Sequence, residues 1–344
     1  MHIIPRINTD WQQQDWQTAL SNVITDPAEL LQELALDASL LPAAQLASQQ
    51  FPLKVPHSFV ARMKKGDPND PLLRQVLPLQ DELKSHASYS VDPLHENEFN
   101  PLPGLLHKYH GRVLLTVASV CGVNCRYCFR RHFPYDENNP GRNGWGKVLQ
   151  YIADDQSISE VIFSGGDPLI APDRLLKDLV MKIATISHVK TLRIHTRMPI
   201  VIPMRITTAL IELLTCTHLQ PVMVLHCNHP QEIDMTVHNA IQKCRDANIT
   251  LLNQAVLLKG INDNADVLIE LSEKLFSCGI LPYYLHLLDR AQNTAHFAVS
   301  EFTAQQLLVE IMAKLPGYLV PRVVREVAGA SGKTPIPYLE NCRN

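Results

Sequence analysis

No stretch of this 344-residue chain is apolar for long enough to cross a bilayer, and the opening residues, Met1 to Asp10, lack a basic region followed by an apolar core. A membrane-embedded or secreted protein is therefore not expected, and the cytoplasm is the default compartment. Neither sign of charge dominates: 31 Lys and Arg stand against 34 Asp and Glu, a net charge of -3. Without a basic run there is no footprint for a phosphate backbone, and nucleic acid is not an expected partner. Cysteine is also sparse. Eight over this length do not make the disulfide framework of a small secreted domain, so thiols that do cluster read as metal ligands in a reducing compartment. Cys216, Cys227, Cys244, Cys278 and Cys342 stand alone and read as small buried hydrophobes or inert surface thiols.

What remains is an ordinary globular composition, 46% hydrophobic, with room for one large α/β domain and about a hundred residues beside it. Residues 1–104 read as helices and connectors. Asp26-Pro27 supplies an N-cap and a first-turn proline to the amphipathic AELLQELALD, and prolines recurring between Phe51 and Pro103 suggest a segment wrapped along a larger body. From Arg112 onward six short β-branched or apolar runs appear: RVLLTVA, EVIFSGG, TLRIHTR, VMVLHCN, LLNQAVL and YYLHLL. Their spacing of about 30 to 45 residues, with helical patterns between, predicts right-handed βα units on a parallel sheet over residues 105–315, followed by a C-terminal segment over 316–344. Six units fall short of the eight of a closed barrel. Function in such sheets gathers at the carboxyl ends of the strands. Here those ends carry Cys121, Ser164-Gly165-Gly166-Asp167, His195-Thr196-Arg197, His226-Cys227-Asn228-His229 and Asp289.

Two motifs carry chemistry. Cys121, Cys125 and Cys128, within SVCGVNCRYCFRR, follow the first predicted strand directly, so all three thiolates can converge from one loop. On a cuboidal cluster of four irons they leave one iron open to chelate an amine and a carboxylate. A structural zinc with His132 or His107 as fourth ligand is the alternative. The second motif is Gly329-Ala330-Ser331-Gly332-Lys333-Thr334-Pro335, which presents one lysine on a loop of small residues. A nucleotide-binding loop needs glycine six residues ahead of its lysine, where this chain has Val327, and a helix after it. The other readings are a Schiff-base lysine for pyridoxal phosphate and an exposed lysine with no role.

The cysteine loop, its place after the first strand and the six βα units resemble the radical S-adenosylmethionine superfamily over residues 105–335. Joined to the lysine loop, and to PGLLHKYHGR, CRYCFRR, SGGDPL, HCNHP, NQAVLLKGIND and GKTP, the likeness narrows to the lysine 2,3-aminomutase family. The resemblance implies a partial (βα)6 barrel with an N-terminal helical extension. It also implies an isomerase converting α-lysine to β-lysine with a 4Fe-4S cluster on the three cysteines, S-adenosylmethionine, and pyridoxal phosphate on Lys333. Both cofactors are needed because the β-hydrogen of lysine is not acidic and must leave as an atom.

The same resemblance implies the remaining roles. The turn Ser164, Gly165, Gly166 and Asp167 lies beside the methionine amine of S-adenosylmethionine, and His226, Asn228 and Gln254 face its nucleoside. Arg112 and Tyr109, with His107 as a further candidate, hold the phosphate of the pyridoxal group. Arg130 meets the substrate carboxylate, while Asp289 and Glu326 meet its distant ammonium. Glu326 stands where the family usually has aspartate, which adds a methylene to a confined site; its alternative is a solvated pair with Arg322 or Arg325. Within the family, the short chain looks most like the bacterial members that supply β-lysine for modification of elongation factor P, implying a functional link to that factor and its lysine ligase. The alternatives are free-lysine metabolism, arginine or glutamate as substrate, and a non-catalytic metal-binding scaffold. The N-terminal extension is a candidate either to cover the barrel or to mediate assembly into a homo-oligomer.

Overall fold

The computed structural model describes residues 15–338; the opening residues Met1 to Asp10 and Cys342 lie outside the described residues. The strands are β1 (Leu105–Tyr109), β2 (Arg112–Ala118), β3 (Glu160–Gly165), β4 (Thr191–Thr196), β5 (Gln220–Leu225), β6 (Thr250–Leu257), β7 (Leu281–Leu287), β8 (Arg322–Arg325) and β9 (Thr334–Pro335). They form one sheet in chain order, left open among the described residues because β1 and β9 do not meet. Neighbours from β2 to β8 pair parallel, and the hairpins β1–β2 and β8–β9 close the edges antiparallel.

The helices are α1 (Trp16–Ser21), α2 (Pro27–Glu33), α3 (Leu41–Gln50), α4 (His57–Val60), α5 (Gly141–Asp154), α6 (Asp173–Ala184), α7 (Met198–Val201), α8 (Thr208–Thr215), α9 (Met235–Asp246), α10 (Ala265–Ser277) and α11 (Glu301–Lys314). Six of them, α5, α6, α8, α9, α10 and α11, each return the chain to the next parallel strand. The predicted runs are β2 to β7. The structure adds β8 as a further parallel strand and β1 as the partner of β2. Both escape sequence reading for a physical reason: β8 offers only Val323 and Val324 between two arginines, and β1 is a short run ending in HKY.

In α6 the buried residues Leu176, Leu179, Val180 and Ile183 fall on one face and cover the sheet, where Val161, Phe163, Leu192 and Ile194 are buried. Each such side chain contributes about 1.5–3 kcal/mol on full burial. Cys227, Cys244 and Cys278 are buried and Cys216 is exposed, as their isolation in the sequence suggested.

Asp26 caps α2 through Ala28 N, with Pro27 in the first turn. The N-terminal segment has no separate core. Ile24, Leu53, Val55, Phe59, Leu72 and Leu73 belong to the same apolar cluster as the barrel. No helix among the described residues is long and apolar enough to cross a membrane.

Candidate active site

The carboxyl ends of the parallel strands open onto a cavity of about 480 Å³. Its walls contain all the residues singled out above: Cys121, Cys125 and Cys128; Ser164, Gly165, Gly166 and Asp167; His226, Asn228 and Gln254; Tyr109, Arg112 and Lys333; Arg130, Asp289 and Glu326. The parallel register explains the convergence, because successive strands end level and each turns into its helix at the same rim.

The cysteine thiols are free. Burial and then the neighbouring Cys128 push the Cys121 thiol well above its ordinary value, and burial with Cys125 pushes Cys128 up to about 12. Buried soft donors that repel one another as thiolates suit a cationic iron cluster, whose charge would take the place of the protons. The zinc alternative gains no support, since among the described residues no three His, Cys, Asp or Glu side chains are set to close on a single ion. His107 instead bonds Tyr151 Oη at 2.8 Å.

The N-terminal segment grips the cysteine loop through its arginines. Arg126 Nε and Nη2 donate to Glu82 at 2.7 and 2.5 Å, and Arg131 Nη2 donates to it at 3.1 Å. Arg130 donates from Nε and Nη2 to Glu96 at 2.7 and 2.6 Å, and from Nη1 to Ser164 Oγ at 3.1 Å. Burial alone would weaken the charge on Arg130, but Glu96 outweighs it. The fork expected to meet a substrate carboxylate thus already holds a protein carboxylate.

The glycine turn is pressed against the chain leading into Cys121. Gly165 has φ 110°, a Cβ there would sit 2.5 Å from Ala118 O, and one at Gly166 would collide with the Val120 backbone. Gly166 N and Asp167 N donate to Ala118 O and Val120 O at 2.8 and 2.9 Å. The Asp167 carboxylate is fully engaged, accepting from Thr196 Oγ1 and Arg197 N at 2.7 Å and from Leu169 N and Met198 N at 3.1 Å. Asn228 is likewise committed: Nδ2 donates to Gln75 and Tyr127 at 3.0 and 2.6 Å, and Oδ1 accepts from Val256 N at 2.8 Å. By contrast, His195 Nε2, His226 Nε2 and Gln254 Oε1 are buried without a partner among the described residues. Each such orphan costs about 1–3 kcal/mol, so this wall fits a polar ligand. Burial first, then Arg197, lowers His226 to about 4, so its ring is neutral.

Across the cavity, Lys333 sits between β8 and β9. Its Nζ lies 3.1 Å from Glu326 Oε2, 3.2 Å from His286 Nε2 and 5.3 Å from the Tyr284 ring centre. A strand follows Lys333 directly, which excludes the nucleotide-loop geometry. Glu326 also accepts from Tyr109 Oη at 2.7 Å and Lys108 Nζ at 3.1 Å. Burial would raise this carboxyl, but Lys333, Lys108 and Tyr109 together hold it well below the usual range. Glu326 is therefore not the solvated partner of an arginine; Arg325 pairs with Glu301.

Tyr109, expected at a phosphate, is turned to Glu326, whereas Arg112 makes no side-chain hydrogen bond among the described residues and lies 4.8 Å from the Tyr109 ring centre. Asp289 has no hydrogen bond or ion pair among the described residues, and burial followed by Glu326 pushes its carboxyl up to about 7. An amine-bearing loop, a free arginine and an unpaired carboxyl on one wall fit an aldehyde cofactor with a phosphate and a cationic substrate. Glu96, Lys108 and His286 were not singled out from the sequence. Lys108 and His286 lie within quoted segments, but nothing local ties them to Glu326 or Lys333.

No family model matches the chain. Among curated proteins it is 50% identical over 336 residues to L-lysine 2,3-aminomutase of Escherichia coli (strain K12), covering 97% of each chain. It is 48% identical over 334 residues to L-lysine 2,3-aminomutase of Haemophilus influenzae, covering 97% of this chain and 99% of that one. Among solved structures, a radical SAM methyltransferase from Sphaerobacter thermophilus overlaps 67% of this chain and 72% of its own, at 14% identity and a TM-score of 0.44.

Proposed function

This chain belongs to the lysine 2,3-aminomutase family, and from that premise we propose that its cavity converts L-lysine to β-lysine with the residue roles that follow. The observation carrying the proposal is that Cys121, Cys125 and Cys128 share one cavity with Lys333 and the unpaired Asp289. When bound, the 4Fe-4S cluster with S-adenosylmethionine supplies a carbon radical able to take a hydrogen atom, and pyridoxal phosphate delocalises the unpaired electron during the amine shift.

The three cysteines would hold the cluster. The partnerless atoms of His195, His226 and Gln254 would take polar groups of S-adenosylmethionine. Lys333 would hold the pyridoxal group, with Arg112 on its phosphate. Glu326 Oε2 and His286 Nε2, both within reach of Lys333 Nζ, accept its N–H hydrogens and give a departing proton two places to go. Arg130 offers its remaining N–H groups to the substrate carboxylate, and Asp289 offers the distant ammonium a carboxylate that no protein cation has claimed. With Glu326 beside it, this end of the cavity is acidic, which favours lysine or arginine over glutamate.

The product would serve modification of elongation factor P by that factor's lysine ligase, in the cytoplasm; support for this narrower role is the resemblance to the short bacterial members of the family. Anaerobic reconstitution with iron, sulfide, S-adenosylmethionine and pyridoxal phosphate, followed by lysine and dithionite, should yield β-lysine that the ligase transfers to elongation factor P. Absence of β-lysine with both cofactors bound refutes the substrate. β-lysine that the ligase does not transfer refutes only the narrower role.

A further inference from the structure

Glu96 lines the cavity, yet it belongs to a short turn, Glu96–Phe99, that precedes the barrel. Its two oxygens take one edge of the Arg130 fork, through Nε and Nη2 at 2.7 and 2.6 Å. Ser164 Oγ takes one Nη1 hydrogen at 3.1 Å, and the Phe129 ring lies 4.9 Å from the guanidinium carbon. A guanidinium has five N–H bonds. One on Nη1 and one on Nη2 are thus left without a protein partner.

Two effects of Glu96 oppose each other. Its charge repels an incoming carboxylate, while its bidentate grip removes the rotamer freedom that a long arginine would otherwise lose on binding substrate. The side chains of Arg130 and Glu96 are only 9% and 12% exposed, and an arginine this enclosed would not keep its position without a counter-charge. Orientation is therefore the larger effect.

We propose that Glu96 is a positioning residue for the substrate: it fixes one edge of Arg130 and so presents the other to the α-carboxylate of the amino acid. This rests on the lysine reading of the cavity, and it gives the N-terminal segment a part in substrate recognition.

The test uses holoenzyme with cluster and pyridoxal phosphate loaded, comparing wild type with Glu96→Gln and Glu96→Asp. Binding of L-lysine and of L-lysinamide, which keeps both amines but lacks the carboxylate, is read from the pyridoxal absorption band. KM, kcat and iron content are measured alongside. Glu96→Gln should weaken lysine binding and raise KM by roughly tenfold, the loss of one charge-assisted bidentate anchor. It should change lysinamide binding less than about twofold and leave kcat and iron content near wild type. Glu96→Asp, whose shorter carboxylate keeps the charge, should lie between the two and covers the case of a Gln variant that does not fold.

Equal weakening of both ligands would reduce Glu96 to a structural residue, and tighter lysine binding would make it an obstruction; either overturns the proposal. A wild-type enzyme whose band responds to neither ligand removes the lysine reading itself, a result separate from any difference between variants.

Discussion

Removing Glu82 tests how far the N-terminal segment holds the cysteine loop in place. Its carboxylate is 1% exposed and accepts three N–H bonds, two from Arg126 and one from Arg131, whose side chains are fully buried. Glu82→Ala leaves two enclosed guanidinium groups facing each other without a counter-charge. Breaking a buried pair in this way costs about 3–5 kcal/mol.

For a chain of 344 residues, an unfolding entropy of about 0.7 kcal/mol/K makes each kcal/mol worth about 1.4 °C, so Tm should fall by roughly 5 °C. Because Arg126 lies between Cys125 and Cys128, reconstituted Glu82→Ala should also retain less iron. Calorimetry of the holoenzyme and iron analysis are the assays. Asp178→Ala is the control, since it breaks only the exposed Lys182–Asp178 pair and should move Tm by less than about 1 °C. Equal small shifts in both variants, with full iron content, would refute the view that the segment anchors the loop.

Three further outcomes are expected. Asp289 titrates near 7 because burial and Glu326 oppose its charge more than Lys333 supports it, with Glu96 and Lys108 acting as weaker opposing neighbours. A carboxyl is charged above its pKa, so KM for lysine should climb as pH falls below about 7, by at most tenfold per unit; Asp289→Asn should raise KM at pH 8 and flatten the profile. Lys333→Ala should abolish the yellow chromophore bleached by borohydride while keeping cluster absorbance near roughly 420 nm. A chromophore that survives would point to Lys108, the other lysine on the cavity wall. Gly166→Ala, whose Cβ would collide with the Val120 backbone, should lose iron, whereas Gly146→Ala, with nothing within 4 Å in exposed α5, should gain about 0.5–1 kcal/mol of stability.

Much of the catalytic wall was legible because its signals are local. The cysteine spacing, the glycine turn and the βα rhythm each lie within a few consecutive residues, and parallel register then brings the strand ends together without further information. Less local features were hidden. Glu96 and Glu82 stand 34 and 44 residues from their arginine partners, a pairing made by tertiary packing alone, and β8 was too short to show a period. Roles inside the cavity were harder still. Tyr109 carries the hydroxyl expected for a phosphate, but the fold sets Glu326 nearer, and Asp167 spends its oxygens joining the ends of β3 and β4. Residue type suggested chemistry at these positions, whereas the competing partners were visible only in three dimensions.

Lysine carrying deuterium at its β-carbon tests most directly that the cysteine loop and Lys333 act on one substrate in one cavity. With cluster, S-adenosylmethionine and pyridoxal phosphate bound, deuterium should appear in 5'-deoxyadenosine and in the β-lysine formed, and Cys128→Ala and Lys333→Ala should each abolish the product. β-Lysine made by either variant, or made by wild type with no deuterium reaching 5'-deoxyadenosine, would contradict it.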